Sequence, residues 1–450
     1  MKKTILLQTL LFTLLASQFS FSQPKTIAER LKWWQEARFG MFIHFGIYAI
    51  HGKGEWMRHD EKVSNEQYQP YVESFNPVDY NPKEWAKLAK EAGMKYAVMT
   101  AKHHDGFCLW DSKLTDYKST NFSCKKDLIK EYTEAYRAEG LKVGIYYSLI
   151  DWHHPDYPHY ADEHHPMRGN EAFKNAKHDW DNYLKYMHGQ VKELLSNYGK
   201  IDILWLDFSY GEMRGEKWKA KELVDMIRKL QPDIIINNRL GGDGVVQGAV
   251  QYGDFETPEQ GVPETAPTDE NGNIKPWETC LTHNNHWGYH NADNNFKSAE
   301  VVIHTLVNCV SKGGNLLLNV GPDAKGKIPQ GSVEVLKEVG QWMRDNGASI
   351  YGCGVAKDFP RTEYARFTQK GNKVYMHKMY PTVGFIRLKD FQNKFNYIRF
   401  LADGTDAPYD KRFWGIPESQ GFIFLNCKRP VWETFSWPNK INTVLEIELR

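Results

Sequence analysis

Several classes of protein are excluded by what this chain has little of. Its 450 residues include six cysteines, Cys108, Cys124, Cys280, Cys309, Cys353 and Cys427. They are scattered, with no CxxC spacing, so neither a disulfide-stapled miniprotein nor a cysteine-built zinc module is written here. They read mainly as buried thiols; a Cys108–Cys124 disulfide is open to the chain in an oxidising compartment. An excess of charge of one sign is also lacking: 57 Lys and Arg offset 56 Asp and Glu, for a net charge of +1. Without a long basic or acidic block, neither nucleic acid nor an anionic membrane surface is expected as a partner. No apolar run reaches the length of a confident membrane span. The nearest, Ile5 to Ala16, follows Lys2 and Lys3 and leads into small and polar residues as far as Ser22. That is the layout of a secretory signal peptide over residues 1–22, so export is expected, to a bacterial periplasm or beyond. No cysteine in this stretch offers a lipoprotein anchor.

Aromatic residues, in contrast, are plentiful, with 15 Trp and 24 Tyr. They bury large areas and also stack on the apolar faces of sugars. At 41% hydrophobic and 25% charged, the composition is that of an ordinary globular chain, long enough for one large domain and a smaller one.

From about Thr26 to Ser349, strand-like and helix-like stretches alternate. Strands are expected at Arg38–Gly46, Lys95–His104, Lys142–Asp151, Ile201–Asp207, Ile234–Arg239 and Gly314–Val320, with weaker signals near Gln251–Phe255 and Glu278–Thr282. Helices are expected between them. The clearest is Pro82–Ala92, where Asn81 can cap, Pro82 takes the first turn and Gly93 ends the run; another is expected over Glu171–Tyr198. About eight such units favour a closed (β/α)8-like barrel of the TIM type, possessing irregular sixth and seventh units, over an open sheet. Long loops between Gly241 and Pro276 point to function. After Tyr351 the segments become short, apolar and turn-punctuated, as in a small β-sandwich. The expected division is a leader (1–22), a catalytic barrel (23–350) and a C-terminal β-sandwich (351–450).

In such a barrel, catalytic groups sit at the C-terminal ends of the strands. Ile203-Leu204-Trp205-Leu206-Asp207 reads as a buried strand ending in an acid, with Trp205 and Asp207 on one face. Taken alone, that acid could simply cap the following turn. Polar residues recur at the same end of other strands: His44 in Phe42-Ile43-His44, His103 and His104 in Lys102-His103-His104-Asp105, Tyr146 and Ser148 inward on the third, and Asn237 and Arg239 on the fifth. Folding alone does not require polar groups at one rim of five successive strands.

Together with Arg38-Phe39-Gly40-Met41-Phe42-Ile43-His44-Phe45-Gly46, Glu55-Trp56, Lys102-His103-His104-Asp105-Gly106-Phe107, Trp277-Glu278-Thr279-Cys280 and Gly313-Gly314-Asn315-Leu316-Leu317-Leu318-Asn319-Val320-Gly321-Pro322, these residues resemble the α-L-fucosidases of glycoside hydrolase family 29. The resemblance covers most of the chain, in order. It implies a barrel followed by a β-sandwich and cleavage of terminal α-L-fucose with retention of configuration. It also implies Asp207 as nucleophile and sugar contacts from His44, Glu55, Trp56, His103, His104, Tyr146, Trp205, Arg239 and Trp287. The expected partner is a fucosylated glycan, and no cofactor or metal is implied.

The chemistry fits these residue types. A retaining glycosidase needs a second carboxyl about 5–5.5 Å from the first, to protonate the departing oxygen. Glu259, at the end of Thr257-Pro258-Glu259, is most similar to the family's acid/base, with Glu256 and Glu278 as alternatives. Histidines and Glu55 would hold hydroxyls, and Trp205 and Trp287 would border the methyl group. Two rival readings are a metal-dependent barrel hydrolase, drawing on His153 and His154 as well, and a catalytically silent fucose-binding protein. Against the first, adjacent histidines on a regular strand point to opposite faces, so His103-His104 is a poor strand-borne metal pair.

Overall fold

The computed structural model describes residues 25–241, 252–382, 385–389, 391, 394–412, 421–428, 433–434 and 436–450. The expected leader, residues 1–22, lies outside the described residues, as does part of the loop after Gly241. Seven strands form one parallel sheet: β1 (Phe39–Ile43), β2 (Tyr96–Lys102), β3 (Lys142–Ser148), β4 (Ile203–Asp207), β5 (Ile235–Ile236), β6 (Glu278–Leu281) and β7 (Asn315–Val320). Their spatial order is β5-β4-β3-β2-β1-β7-β6, which leaves β5 and β6 at the two edges.

The segment between those edges closes the ring without becoming a regular strand. Asn237 bridges Phe255, Glu256 bridges Trp277 and Glu259 bridges Cys280, all in the parallel sense. The bonds include Asp254 N to Ile236 O (2.7 Å), Glu278 N to Glu256 O (2.9 Å) and Cys280 N to Pro258 O (3.1 Å). Pro258 has no N–H to give, which interrupts the ladder here. Asp254 anchors the lower end of this stave through Arg30 (2.8 Å) and Arg228 (2.5 Å). The weak strand signal near Gln251–Phe255 therefore corresponds to a later, irregular stretch at 254–260.

Alternation along the strands divides the apolar residues into two cores. Phe42, Val98, Tyr146, Ile203, Trp205, Ile235, Phe255, Cys280 and Leu317 fill the barrel, and Leu31 and Trp34 of the helix Ile27–Ala37 close it from below. Met41, Met99, Val143, Ile145, Leu204 and Leu318 face outward into the helical layer. Burying each such large side chain stabilises the fold by about 1.5–3 kcal/mol. The helix Pro82–Glu91 packs Trp85, Ala86, Leu88 and Ala89 inward and is capped by Asn81, with Pro82 in its first turn. Where one helix over Glu171–Tyr198 was expected, only a 3-10 turn forms at Glu171–Phe173. The helix starts at Trp180, because the Asp179 side chain takes the Asn182 N–H (3.0 Å) and caps it there.

Beyond the barrel lie antiparallel sheets. One has five strands, among them Ala365–Lys370, Lys373–Lys378 and Thr443–Leu449; another has three, including Ile386–Leu388 and Ile423–Leu425. Phe367, Met376, Ile398, Leu425 and Ile447 form their shared core, a β-sandwich. It meets the barrel through Trp342 Nε1 donating to Asn442 O (3.0 Å) and Arg38 Nε donating to Cys353 O (2.8 Å). The Cys108–Cys124 disulfide is not formed: both thiols are free and buried, and the Cys108 sulfur accepts from Gln190 Nε2 (3.1 Å). Among the described residues, no helix is long and apolar enough to cross a membrane.

Candidate active site

A cavity opens at the C-terminal rim, lined by Phe42, His44, Trp56, His103, His104, Tyr146, Trp205, Asp207, Phe208, Arg239, Glu259, Cys280 and Trp287. Asp207 ends β4. Its Oδ2 accepts from the Tyr146 hydroxyl (2.7 Å) and its Oδ1 from Arg239 Nη1 (3.3 Å). Tyr146 faces the cavity while Tyr147 turns outward to Gln190 (2.8 Å), as strand alternation requires. Phe208, directly after the acid, has φ of +82°, uncommon for a residue with a Cβ. There the chain leaves the sheet, and the Phe208 ring becomes part of the cavity wall.

Arg239 links the two carboxylates. Its guanidinium contacts Asp207 at 3.3 Å and Glu259 Oε2 at 2.7 Å, donates from Nε to Thr257 Oγ1 (2.9 Å), and lies 5.0 Å over the Trp205 ring. It does not sit on a strand, as the sequence had suggested, but on the 3-10 turn Asn238–Leu240. β5 stops after two residues because the Asn237 side chain takes over the ladder, accepting Leu206 N–H (2.9 Å) and donating to Leu206 O (2.8 Å). Burial raises the Asp207 carboxyl, Arg239 lowers it, Glu259 raises it and Tyr146 lowers it, leaving it at about 6. The Arg239 charge, opposed by burial, is reinforced by Asp207 and Glu259.

The three glutamates occupy different surroundings. Glu259 reaches into the cavity with its side chain 40% exposed. Glu256, on the opposite face of the same stave, binds Asn238 Nδ2 (2.6 Å) and Lys275 (3.0 Å) and does not line the cavity. Glu278 is fully buried at the start of β6, where its Oε2 accepts from Tyr96 OH and Trp34 Nε1.

The histidines are neutral donors and acceptors. Burial holds His44 down to about 3, against the raising effect of Asn319; burial and neighbouring imidazoles put His103 and His104 well below the usual range. His44 Nδ1–H donates to Asn319 Oδ1 (2.7 Å), and Asn319 Nδ2 in turn holds Trp287 O (2.7 Å). Ser148 gives its hydroxyl proton to Ile150 O (2.7 Å), so it must accept from His104 Nδ1–H (2.7 Å). These bonds leave each Nε2 as a lone-pair acceptor. His103 Nδ1 is buried and has no hydrogen-bond partner among the described residues.

Contrary to the alternation argument, His103 and His104 both line the cavity, with rings 4.1 Å apart. A register shift between Thr100 and Lys102 sends Lys102 to the outer face, and the strand ends there. Lys102 pairs with Asp151 (2.9 Å) where both side chains are almost fully buried, and rests over Tyr147 at 4.5 Å. Among the described residues, no group of three or more His, Cys, Asp or Glu is placed to hold a metal ion.

Glu55 does not line the cavity. Its buried carboxylate accepts Gly288 N–H (2.7 Å) and ties down the loop that carries Trp287. Gly321 lets that loop close on the end of β7: a Cβ there would lie 2.7 Å from Trp287 O. Sequence reasoning did not single out Thr257, Phe208 or Asn319. Thr257 is two residues from Glu259 in an extended stretch, and Asn319 two from the inward Leu317, so alternation was the signal that could have found both.

A sequence model of the α-L-fucosidases matches residues 16–348. The α-L-fucosidase of Dictyostelium discoideum is 29% identical over 355 residues, covering 71% of each chain. Among solved structures, α-L-fucosidase isoenzyme 1 from Paenibacillus thiaminolyticus superposes with a TM-score of 0.90 at 54% identity, over 94% of this chain and all of that one. A family 29 α-L-fucosidase from Bacteroides thetaiotaomicron, captured as a covalent intermediate with 2-fluoro-fucosyl fluoride, superposes with a TM-score of 0.81 at 27% identity, over 95% and 98% of the two chains.

Proposed function

The chain belongs to the α-L-fucosidase family, glycoside hydrolase family 29, and from that premise we propose that it is an exo-acting, retaining α-L-fucosidase acting on fucosylated oligosaccharides or glycoconjugates, with Asp207 as nucleophile and Glu259 as acid/base. The observation that carries the assignment of roles is the Arg239 guanidinium in contact with both carboxylates. One cation between them places two acids in the same small space, where Glu259 raises the Asp207 carboxyl and Arg239 lowers it. Asp207, held by Tyr146 at the end of a buried strand, is the fixed partner that attacks the anomeric carbon. Glu259, the more exposed, is the partner that reaches the glycosidic oxygen, protonates it as the bond breaks, and then takes a proton from the water that releases fucose.

The cup suits a deoxy sugar. Neutral His44 and His104 offer lone pairs and His103 Nδ1 awaits a partner, so several hydroxyls can be held without a net charge on the imidazoles. Phe42, Trp205 and Trp287 supply the apolar surface for the methyl group. Lys2, Lys3 and the apolar run Ile5–Ala16 support export, with the periplasm as the site of action.

The test is hydrolysis of an aryl α-L-fucoside by the purified chain, followed by NMR, alongside Glu259→Ala with and without azide. Wild type should release α-fucose first. Glu259→Ala should lose far more activity on a fucosyl oligosaccharide than on an activated aryl fucoside, and azide should rescue it as α-fucosyl azide, the product of two displacements. A β-configured first product from the wild type would overturn the retaining mechanism, and equal losses on both substrates without rescue would overturn the role of Glu259.

A further inference from the structure

We infer that Glu278 is a positioning residue for this reaction, acting through the indole N–H of Trp205 to fix the surface on which Arg239 and Tyr146 hold Asp207. The inference rests on the fucosidase reading and extends it to the floor of the site. Glu278 Oε1 and Trp205 Nε1 are among the buried polar atoms that lack a hydrogen-bond partner among the described residues. One is an acceptor and the other a donor. Burial pushes the Glu278 carboxyl up, Tyr96, Trp34 and the Trp205 indole pull it down, and it stands at about 7.

The remaining contacts fix Glu278 from below. Tyr96 OH and Trp34 Nε1 both donate to Oε2, and Asn315 Nδ2 holds Trp34 O (2.8 Å) and Tyr96 OH (3.4 Å). With Oε2 occupied, Oε1 is the atom left for Trp205. An acid buried in an apolar barrel is costly to retain for packing alone. Above it, Trp205 lies nearly parallel to Tyr146, with ring centroids 5.8 Å apart and an interplanar angle of 20°, and supports the Arg239 guanidinium at 5.0 Å. Both residues touching Asp207 thus lean on the one indole that Glu278 can orient.

The experiment is a double-mutant cycle on an activated aryl α-L-fucoside. Glu278→Gln should lower kcat about tenfold with KM within about twofold, and Trp205→Phe, which removes the N–H, should abolish that sensitivity, so the double variant is no slower than Trp205→Phe alone. Multiplying losses, or a Glu278→Gln enzyme with wild-type kcat, would overturn the inference. If Glu278→Gln does not fold, Glu278→Asp, which keeps the charge but withdraws it by one methylene, enters the same cycle with the same outcomes. An inactive wild type overturns the fucosidase reading and this one with it; an active wild type with multiplying losses overturns this one alone.

Discussion

Asp151, buried beyond the end of β3, and Asp207, largely buried as the last residue of the neighbouring β4, are both acids taken out of water, yet the protein treats them in opposite ways. Asp151 receives Lys102 Nζ (2.9 Å) and the backbone N–H groups of His153 and His154 (2.9 Å each). Burial raises its carboxyl, but Lys102 with those two histidines overrides this and holds it well below the ordinary range. Asp207 has a hydroxyl and one longer contact with a guanidinium it shares with Glu259, and rises to about 6. Burial is common to both, and completeness of neutralisation separates them. A fully paired acid stabilises the fold, whereas an incompletely paired one keeps its lone pairs available to a substrate.

The sharpest way to break the comparison is to remove each charge. Asp207→Asn should lower kcat on the order of 10⁴-fold, while its thermal midpoint stays level or rises. A carboxyl with a folded pKa above its unfolded value destabilises the fold at pH 7, so its loss costs no stability. A clear fall in midpoint would mean that Asp207 is structural after all. Asp151→Asn should do the reverse. It leaves Lys102 buried without its counter-charge and should cost about 3–5 kcal/mol in denaturant unfolding. An unchanged unfolding midpoint would remove the distinction. The smallest effect is in pH. The nucleophile works as a carboxylate, so kcat/KM should fall about tenfold per unit as pH drops below about 6. The Asp151 contribution to stability, being that of a depressed carboxyl, should persist through this range and decline only below about pH 4, where the unfolded acid begins to bind protons. An acid limb of activity that coincides with unfolding would merge the two roles.

The sequence carries much of this rim in legible form. Apolar alternation located β1 to β4 and chose Tyr146 over Tyr147, because the period of two is fixed by backbone geometry. It placed Asp207 at a strand end, but Asp151 occupies a like position in sequence. What distinguishes them, Lys102 and Arg239, arrives from 49 and 32 residues away. The bulge at Thr100–Lys102 was invisible as well, since nothing in Ala101 announces an extra residue, and it turned two adjacent histidines into one cavity wall. Arg239 was assigned to a strand because Asn237 continues an apolar run, whereas its side chain replaces the backbone ladder and ends β5. Glu55 was expected at the sugar, and its short distance in sequence from Trp56 gave no sign that it also reaches Gly288.

The ring closes at its least regular stave, residues 254–260, and that stave brings Glu259. β7 must then find β1, whose residues precede it by more than 270 positions. A growing chain that has passed Ile236 already contains Asp207 and Tyr146, but Glu259, once added, has no β6 to register against and His44 has no Asn319. Glu259 and His44 therefore reach their places in the cavity only when the last staves dock. During biosynthesis and refolding, turnover of substrate is a direct report that the cylinder has closed.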